Sequence, residues 1–168
     1  MALDVTALDA LPPDEFTDAV APWFEGAPRF LARLVAARPF GDEATLFRRA
    51  EAIALAMPEN EQIELIDAHP RLGAPPRTVS ALSHAEQGYD RDTTEAIAEL
   101  ARLNAAYEAK FGFRFCVFVN GRSRAALVPV LSSALDADRE SEIRRAVGDV
   151  VAIARDRARR LEAQAGAA

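Results

Sequence analysis

The heptapeptide Phe113 to Val119, FRFCVFV, decides the fold class. It is short, continuous and apolar apart from Arg114, which suits a buried strand and equally a buried helical segment. Asn120-Gly121 follows it, a dipeptide that resembles a hairpin turn, but no partner strand comes after it. One lone apolar run cannot make a sheet. The expected fold is therefore all-α: a single-domain multi-helix bundle over residues 1–168, with a core of about 8–163 and a frayed tail at 164–168.

The flanks of the heptapeptide read as helices. On its N-terminal side Asp92 is a clear N-cap, with Glu95 three residues on, for a helix that runs to Phe111 and ends on Gly112. Its apolar stripe is Ile97, Leu100, Tyr107 and Phe111, with Asn104 in the middle. On the C-terminal side Ser123 caps a helix through Leu135 that contains Pro129. The last helix spans about 138–163 with the stripe Ile143, Val147, Val150, Ala154, position 157 and Leu161. Further upstream, Pro12-Pro13 opens a helix over DEFTDAVAPWF, and residues 28–37 form a short amphipathic one. Asp42 caps a helix to about Met57, and Pro58 starts another that Pro70 must end. RLGAPPRTVSAL, dense in Gly and Pro, reads as a loop.

Composition narrows the function. Half of the 168 residues are hydrophobic and 27% are charged, an ordinary globular balance. A chain of this size buries roughly 68–70% of its unfolded surface, enough for a core without metals or disulfides. The net charge of −6 and the pI of about 5.0 disfavour nucleic acid as a partner. No run of 18 apolar residues spans a membrane, and the N-terminus lacks the basic start of a secretory signal. The C-terminus is not the Ser-Lys-Leu peroxisomal address, so the expected location is the cytoplasm. The Ala and Arg bias fits a bacterial genome. One cysteine, Cys116, excludes an internal disulfide and a multi-cysteine zinc site, and two histidines make a histidine-rich metal site a poor expectation. The single lysine, Lys110, argues against Schiff-base chemistry.

Several groups stand out. His69 sits at a helix C-terminus, where the dipole favours a protonated ring; it equally reads as a side chain capping exposed carbonyls. Ser83 and Glu86 have capping-box spacing, a structural device, but Gln87 beside Glu86 adds donors and an acceptor for a planar polar ligand. Asn104 and Arg157 occupy apolar stripes. Asn104 reads as a core hydrogen-bonder. A buried Arg157 must meet a protein carboxylate, with Glu86 and Asp67 as candidates, or an anionic ligand. Phosphate loops, nucleophile elbows and zinc-protease motifs are absent from the sequence. The total is an acidic all-α protein with a His/Glu/Gln/Arg site suited to a small polar anion.

RPF (38–40), AHPRLG (68–73), SHAEQ (83–87), LNAAYEAKFGF (103–113) and IARDR (153–157) together resemble the 2-oxo-4-hydroxy-4-carboxy-5-ureidoimidazoline (OHCU) decarboxylases, the ureide-pathway family that makes (S)-allantoin. The pieces stand in that family's order and spacing and cover residues from about 16 to 161. The resemblance implies an all-helical, usually dimeric enzyme that needs no cofactor or metal and takes a small-molecule ureide. It places the catalytic pair on His69 and Glu86. It places substrate contacts on Pro70, Ser83, Gln87 and Arg157, and on the backbone of Phe115, Cys116, Val117, Phe118 and Val119. Two departures occur. The family usually has proline where Arg114 stands, and its Arg-Leu before the last helix reads Ala134-Leu135 here. Arg114 bears on the pose of 115–119 and is not expected to touch the acid/base residues.

The implied chemistry is self-sufficient. The substrate carries its carboxylate on a hydroxyl-bearing carbon next to a ring C=N, so loss of carbon dioxide can push electrons into that imine. His69, expected to titrate near neutrality, is the proton-transfer group. Glu86 holds the hydroxyl or orients His69, Ser83 and Gln87 read the ureido group, and Arg157 counters negative charge through its planar fork. The competing reading is a non-catalytic helical binding or dimerisation module, in which the Arg/Asp/Glu pattern of the last helix faces a partner.

Overall fold

The protein is described by a computed structural model that covers residues 3–73, Leu82 and residues 94–166. Among these residues there are eight α-helices, one 3-10 turn and no strand. The helices are α1 (Val5–Ala10), α2 (Pro13–Val20), α3 (Pro28–Ala36), α4 (Glu43–Ala56), α5 (Glu59–Asp67), α6 (Thr94–Phe111), α7 (Arg124–Ala134) and α8 (Arg139–Ala165). The 3-10 turn, Ala21–Phe24, continues α2. The expected N-cap Asp92 and the cluster Ser83, His84, Glu86 and Gln87 lie outside the described residues.

Local chemistry sets the helix starts. Asp42 accepts from Thr45 N (2.7 Å), Ser123 from Ala126 N (3.2 Å) and Asp138 from Ser141 N (2.9 Å), each filling a donor the first turn leaves unpaired. Gly112, at φ +76°, closes α6 in the left-handed conformation that glycine adopts without strain. The 27-residue α8 packs on α4, α5 and the 3-10 turn. Ile143, Val147, Val150, Ala154 and Arg157 are all buried along it, as the periodicity predicts.

Three expectations need correction. α1 precedes the proline-led helix; Asp4 caps it, and its Asp9 carboxylate accepts from the N–H groups of Phe40 and Gly41 (2.8 Å each). α8 runs on to Ala165, so residues 164 and 165, expected in the frayed tail, are helical. Ile97 is 42% exposed; the inner stripe of α6 is Ala96, Leu100, Leu103, Asn104, Tyr107 and Phe111. A large apolar residue draws the eye on a helical wheel, but small Ala96 holds the inward register.

FRFCVFV is neither helix nor strand. Phe113, Phe115, Val117 and Val119 are buried, and no neighbouring strand is described to pair their backbone. Side chains do that work instead. Arg145 Nη1 donates to Cys116 O (2.9 Å), Arg122 Nη2 to Phe118 O (2.6 Å), and Asp149 accepts from the Phe118 N–H. A buried backbone group must be paired, and here Arg145 and Asp149 of helix α8, with Arg122 from the turn before α7, supply the partners a second strand would have offered. Asn120 (φ 48°) and Gly121 (φ 73°) then make a tight turn, with Arg122 N donating to Val119 O (3.1 Å). Two central residues with positive φ are hairpin geometry, spent here on entering α7 rather than a strand.

Candidate functional site

The site is built from helix ends. α5 stops before Pro70, and His69 sits just past it, 3% exposed, its N–H donating to Ile66 O (3.1 Å). The ring Nδ1 lies 3.2 Å from Leu65 O, so the proton belongs on Nδ1 and the ring does cap its own helix. The other nitrogen, Nε2, is buried with no hydrogen-bond partner among the described residues. Its lone pair is left as an acceptor.

Burial, and then the positive charge of Arg157, lower the His69 pKa to about 4; the Leu65 carbonyl and Glu25 pull the other way and lose. The ring is therefore neutral at pH 7. This corrects the expectation of a group titrating near neutrality. The attraction of a helix C-terminus for a cation is worth at most about 2 kcal/mol, and desolvation outweighs it here.

Arg157 is 2% exposed. Its Nη2 pairs with Glu25 Oε1 at 3.0 Å, and Nη1 donates to Pro22 O (3.2 Å) and Trp23 O (3.4 Å). Among the described residues the carboxylate it meets is Glu25 and not Asp67; Glu86, the other candidate, lies outside them. Asp67 is turned elsewhere and accepts from Arg114 N (2.8 Å). Glu25 closes the 3-10 turn in the left-handed region, at φ 52°, a strained conformation for a residue with a side chain. Sequence reasoning missed it. The signal available was slight: an acid before Gly26, where a left-handed turn puts a carboxylate at a helix end.

Pro70 is half-buried and directly follows the imidazole. Of the run implied to contact substrate, Phe115, Cys116, Val117 and Val119 are buried and Phe118 is half-buried. Arg114 joins this run to the histidine turn: its Nη1 donates to Asp67 O (2.9 Å) and His69 O (3.3 Å). Arg114 does touch the histidine residue, through its backbone, against expectation. Asn104 anchors the next residues by donating from Nδ2 to Leu72 O (2.8 Å), and lines a cavity of about 300 Å³ with Arg71, Leu72 and Glu108. The structure thus brings together His69, Arg157, Glu25 and, through Arg114, the start of 115–119. Ser83, Glu86 and Gln87 lie outside the described residues.

A second polar cluster lies further back along α8. Tyr107 donates to Glu142 Oε2 (2.6 Å), Arg145 chelates Glu142 (2.8–3.1 Å) and pairs with Asp149 (2.7 Å). Burial and the bond to Glu142 raise the tyrosine pKa, and burial raises that of Asp149. For Arg145 burial opposes the charge, but the bond to Glu142 and the two carboxylates more than offset it. The alternating charges of this helix thus turn partly inward, where the sequence pattern reads as a partner-facing surface.

Among the described residues no three His, Cys, Asp or Glu side chains converge as metal ligands, and no helix is long and apolar enough to cross a membrane. Known proteins resemble this chain over most of its length. It is 31% identical over 153 residues to the uric acid degradation bifunctional protein PucL of Bacillus subtilis, covering 89% of this chain and 31% of that protein. The chain spans about a third of the length of the bifunctional relatives it matches. It is 28% identical over 155 residues to the 2-oxo-4-hydroxy-4-carboxy-5-ureidoimidazoline decarboxylase of Haloferax volcanii, covering 90% of this chain and 92% of that one. The fold matches that of a crystallised OHCU decarboxylase, solved in the presence of (S)-allantoin, with a TM-score of 0.67 at 23% identity, over 81% of this chain and 92% of that one. An (S)-allantoin synthase structure matches with a TM-score of 0.68 at 21% identity, over 92% of this chain and 52% of that one. The OHCU decarboxylase family model matches residues 9–159, a span that holds His69, Arg157 and every other residue of the site, and the chain belongs to that family.

Proposed function

We propose that this chain is a cofactor-independent carboxy-lyase that converts 2-oxo-4-hydroxy-4-carboxy-5-ureidoimidazoline to (S)-allantoin and carbon dioxide in urate degradation. The observation that carries this reading is the neutral, buried His69, whose Nε2 lone pair has no partner among the described residues, on the family's His-Pro motif.

The chemistry follows from the proton inventory. The departing carboxylate leaves its electron pair on the ring and the adjacent C=N takes it up, so a ring nitrogen takes one proton from solvent, the single proton the overall reaction consumes. The hydroxyl then loses its proton to become a carbonyl, and the neighbouring carbon gains one. A neutral imidazole with Nδ1–H fixed on Leu65 O can accept at Nε2. His69 takes the hydroxyl proton and returns it to one face of the ring carbon, and a fixed pose makes that delivery stereospecific. Glu86 holds the hydroxyl, Ser83 and Gln87 read the ureido group, and Pro70 and the backbone of 115–119 complete the cradle. Arg157, already tied to Glu25, sets the charge around the imidazole and meets the substrate's negative charge.

The same reading takes the chain as one domain, cytoplasmic, acting as a homodimer; sedimentation at micromolar concentration tests the last. The activity test starts from urate with the two preceding enzymes and follows allantoin by its optical activity. Accelerated formation of the S enantiomer is the expected result. Formation no faster than spontaneous decay would leave a non-catalytic helical module as the better reading.

A further inference from the structure

We propose that Arg145, held by Asp149, is a positioning residue for the backbone of Phe115–Val119 and decides which of its peptide groups face the substrate; this rests on the decarboxylase reading above.

From Arg114 to Phe118 the outward bonds of this run leave from alternate residues, and at its end Val119 O turns back onto Arg122 (Nε, 3.1 Å). Arg114 N donates to Asp67, Cys116 O accepts from Arg145, and Phe118 is held at both its N–H, by Asp149, and its C=O, by Arg122. A two-residue repeat is that of an extended chain, where successive residues aim their N–H and C=O groups to opposite edges. With Cys116 and Phe118 committed to the edge held by Arg145, Asp149 and Arg122, the groups of Phe115 and Val117 turn to the other. One extended residue then offers an N–H and a C=O side by side, a donor–acceptor pair that matches the N–H and C=O of a ring amide or a ureido group. Val117, between the two tethered residues, is the best-fixed such pair.

Arg145 suits this task better than a stabilising one. Its guanidinium serves Glu142, Asp149 and Cys116 O at once, with its carbon 4.8 Å from the centre of the Phe115 ring. Ion clusters drawn part-way out of water in this manner add little net stability over apolar side chains of the same volume. What a fork with several fixed donors does give is placement, which a site reading planar amides needs to a fraction of an ångström.

The test compares wild type, Arg145→Lys and Asp149→Asn in the coupled assay, with backbone amide spectra recorded with and without (S)-allantoin. Lysine keeps the positive charge but cannot reach Cys116 O and both carboxylates together. Its KM is expected to rise about tenfold, the worth of one well-placed hydrogen bond. Its kcat should stay within about threefold, its acid limb should not move, and the Val117 amide shift induced by allantoin should shrink. Asp149→Asn should raise KM about threefold in the same way, which keeps the proposal testable if the lysine variant does not fold. A folded Arg145→Lys, or failing that Asp149→Asn, with wild-type KM and a wild-type Val117 response overturns the proposal. If wild type itself gives no acceleration, the decarboxylase reading is what fails. The tether is then judged alone, on whether the Cys116 and Phe118 amides move in Arg145→Lys; unmoved, they overturn it.

Discussion

Helix α8 carries two arginines twelve residues apart, Arg145 half-buried and Arg157 buried, and treats them differently. Arg145 sits in a saturated cluster in which Glu142, Asp149 and a backbone carbonyl answer its donors and Tyr107 completes the set. Arg157 sits against strained Glu25 and beside a histidine whose Nε2 has no partner among the described residues. Burial strips water from both ends. At one end each desolvated group is repaid by a partner, so charge survives. At the other the histidine gives up its charge, because burial penalises it and the positive field of Arg157 adds to the penalty. The contrast teaches where to look for chemistry: a satisfied cluster specifies geometry, and an incomplete one is available to a ligand.

The largest expected break in this contrast comes from His69→Asn, which should keep the fold and cost about 10²–10⁴-fold in rate. Activity within a factor of two of wild type would remove His69 from the reaction. Next comes pH. The folded pKa of about 4 lies below the ordinary 6.5, so between these values the unfolded chain binds a proton that the native state does not. Above pH 6.5 this group adds no pH dependence. From 6.5 down to 4 it should cost roughly 3 kcal/mol of stability, a slope that chemical denaturation of His69→Asn should lack. The acid limb of kcat/KM should correspondingly lie well below pH 6.5.

Arg157→Lys sharpens the comparison further. Lysine can answer Glu25 but not the Pro22 and Trp23 carbonyls as well. The expected loss is about 1–2 kcal/mol, a fall in Tm of roughly 2–8 °C for a chain this size, together with a lower kcat/KM. A lower Tm with unchanged kinetics would confine Arg157 to structure. Tyr107→Phe, at the saturated end, should cost about 1–2 kcal/mol through the exposed need of Glu142, and leave the acid limb where it is. The smallest effect belongs to Arg144→Gln, whose ion pair with Glu140 stands in solvent; Tm and kinetics should match wild type.

How far the sequence could be read depends on the range of the signal. The caps at Asp42, Ser123 and Asp138 act over three residues, and the stripe of α8 over four, so both show in a linear chain. The all-α fold followed from the lack of a partner for FRFCVFV, and the structure shows why a single run can stand without one: α8 answers its backbone. That answer was written as Glu142, Arg145 and Asp149 at helical spacing, but periodicity does not say whether such a row faces water or the core. Glu25 was out of reach for another reason. Its meaning depends on Arg157, and nothing local announces a contact between a four-residue turn and the far end of the chain.

That contact has a consequence for how the protein is made. Trp23 and Arg157 are 134 residues apart in the chain, and the carbonyl of one waits for the guanidinium of the other. At about 5–20 residues per second, translation puts roughly 7–27 s between them. Through that interval the turn that carries Trp23, Phe24 and Glu25 is a nascent segment with apolar rings, a strained backbone and no counter-charge. The corner that holds Glu25, His69 and Arg157 is therefore completed only once the far end of α8 arrives. A chain stalled short of α8 displays aromatic surface to the quality-control machinery at the same place where the finished protein hides its imidazole.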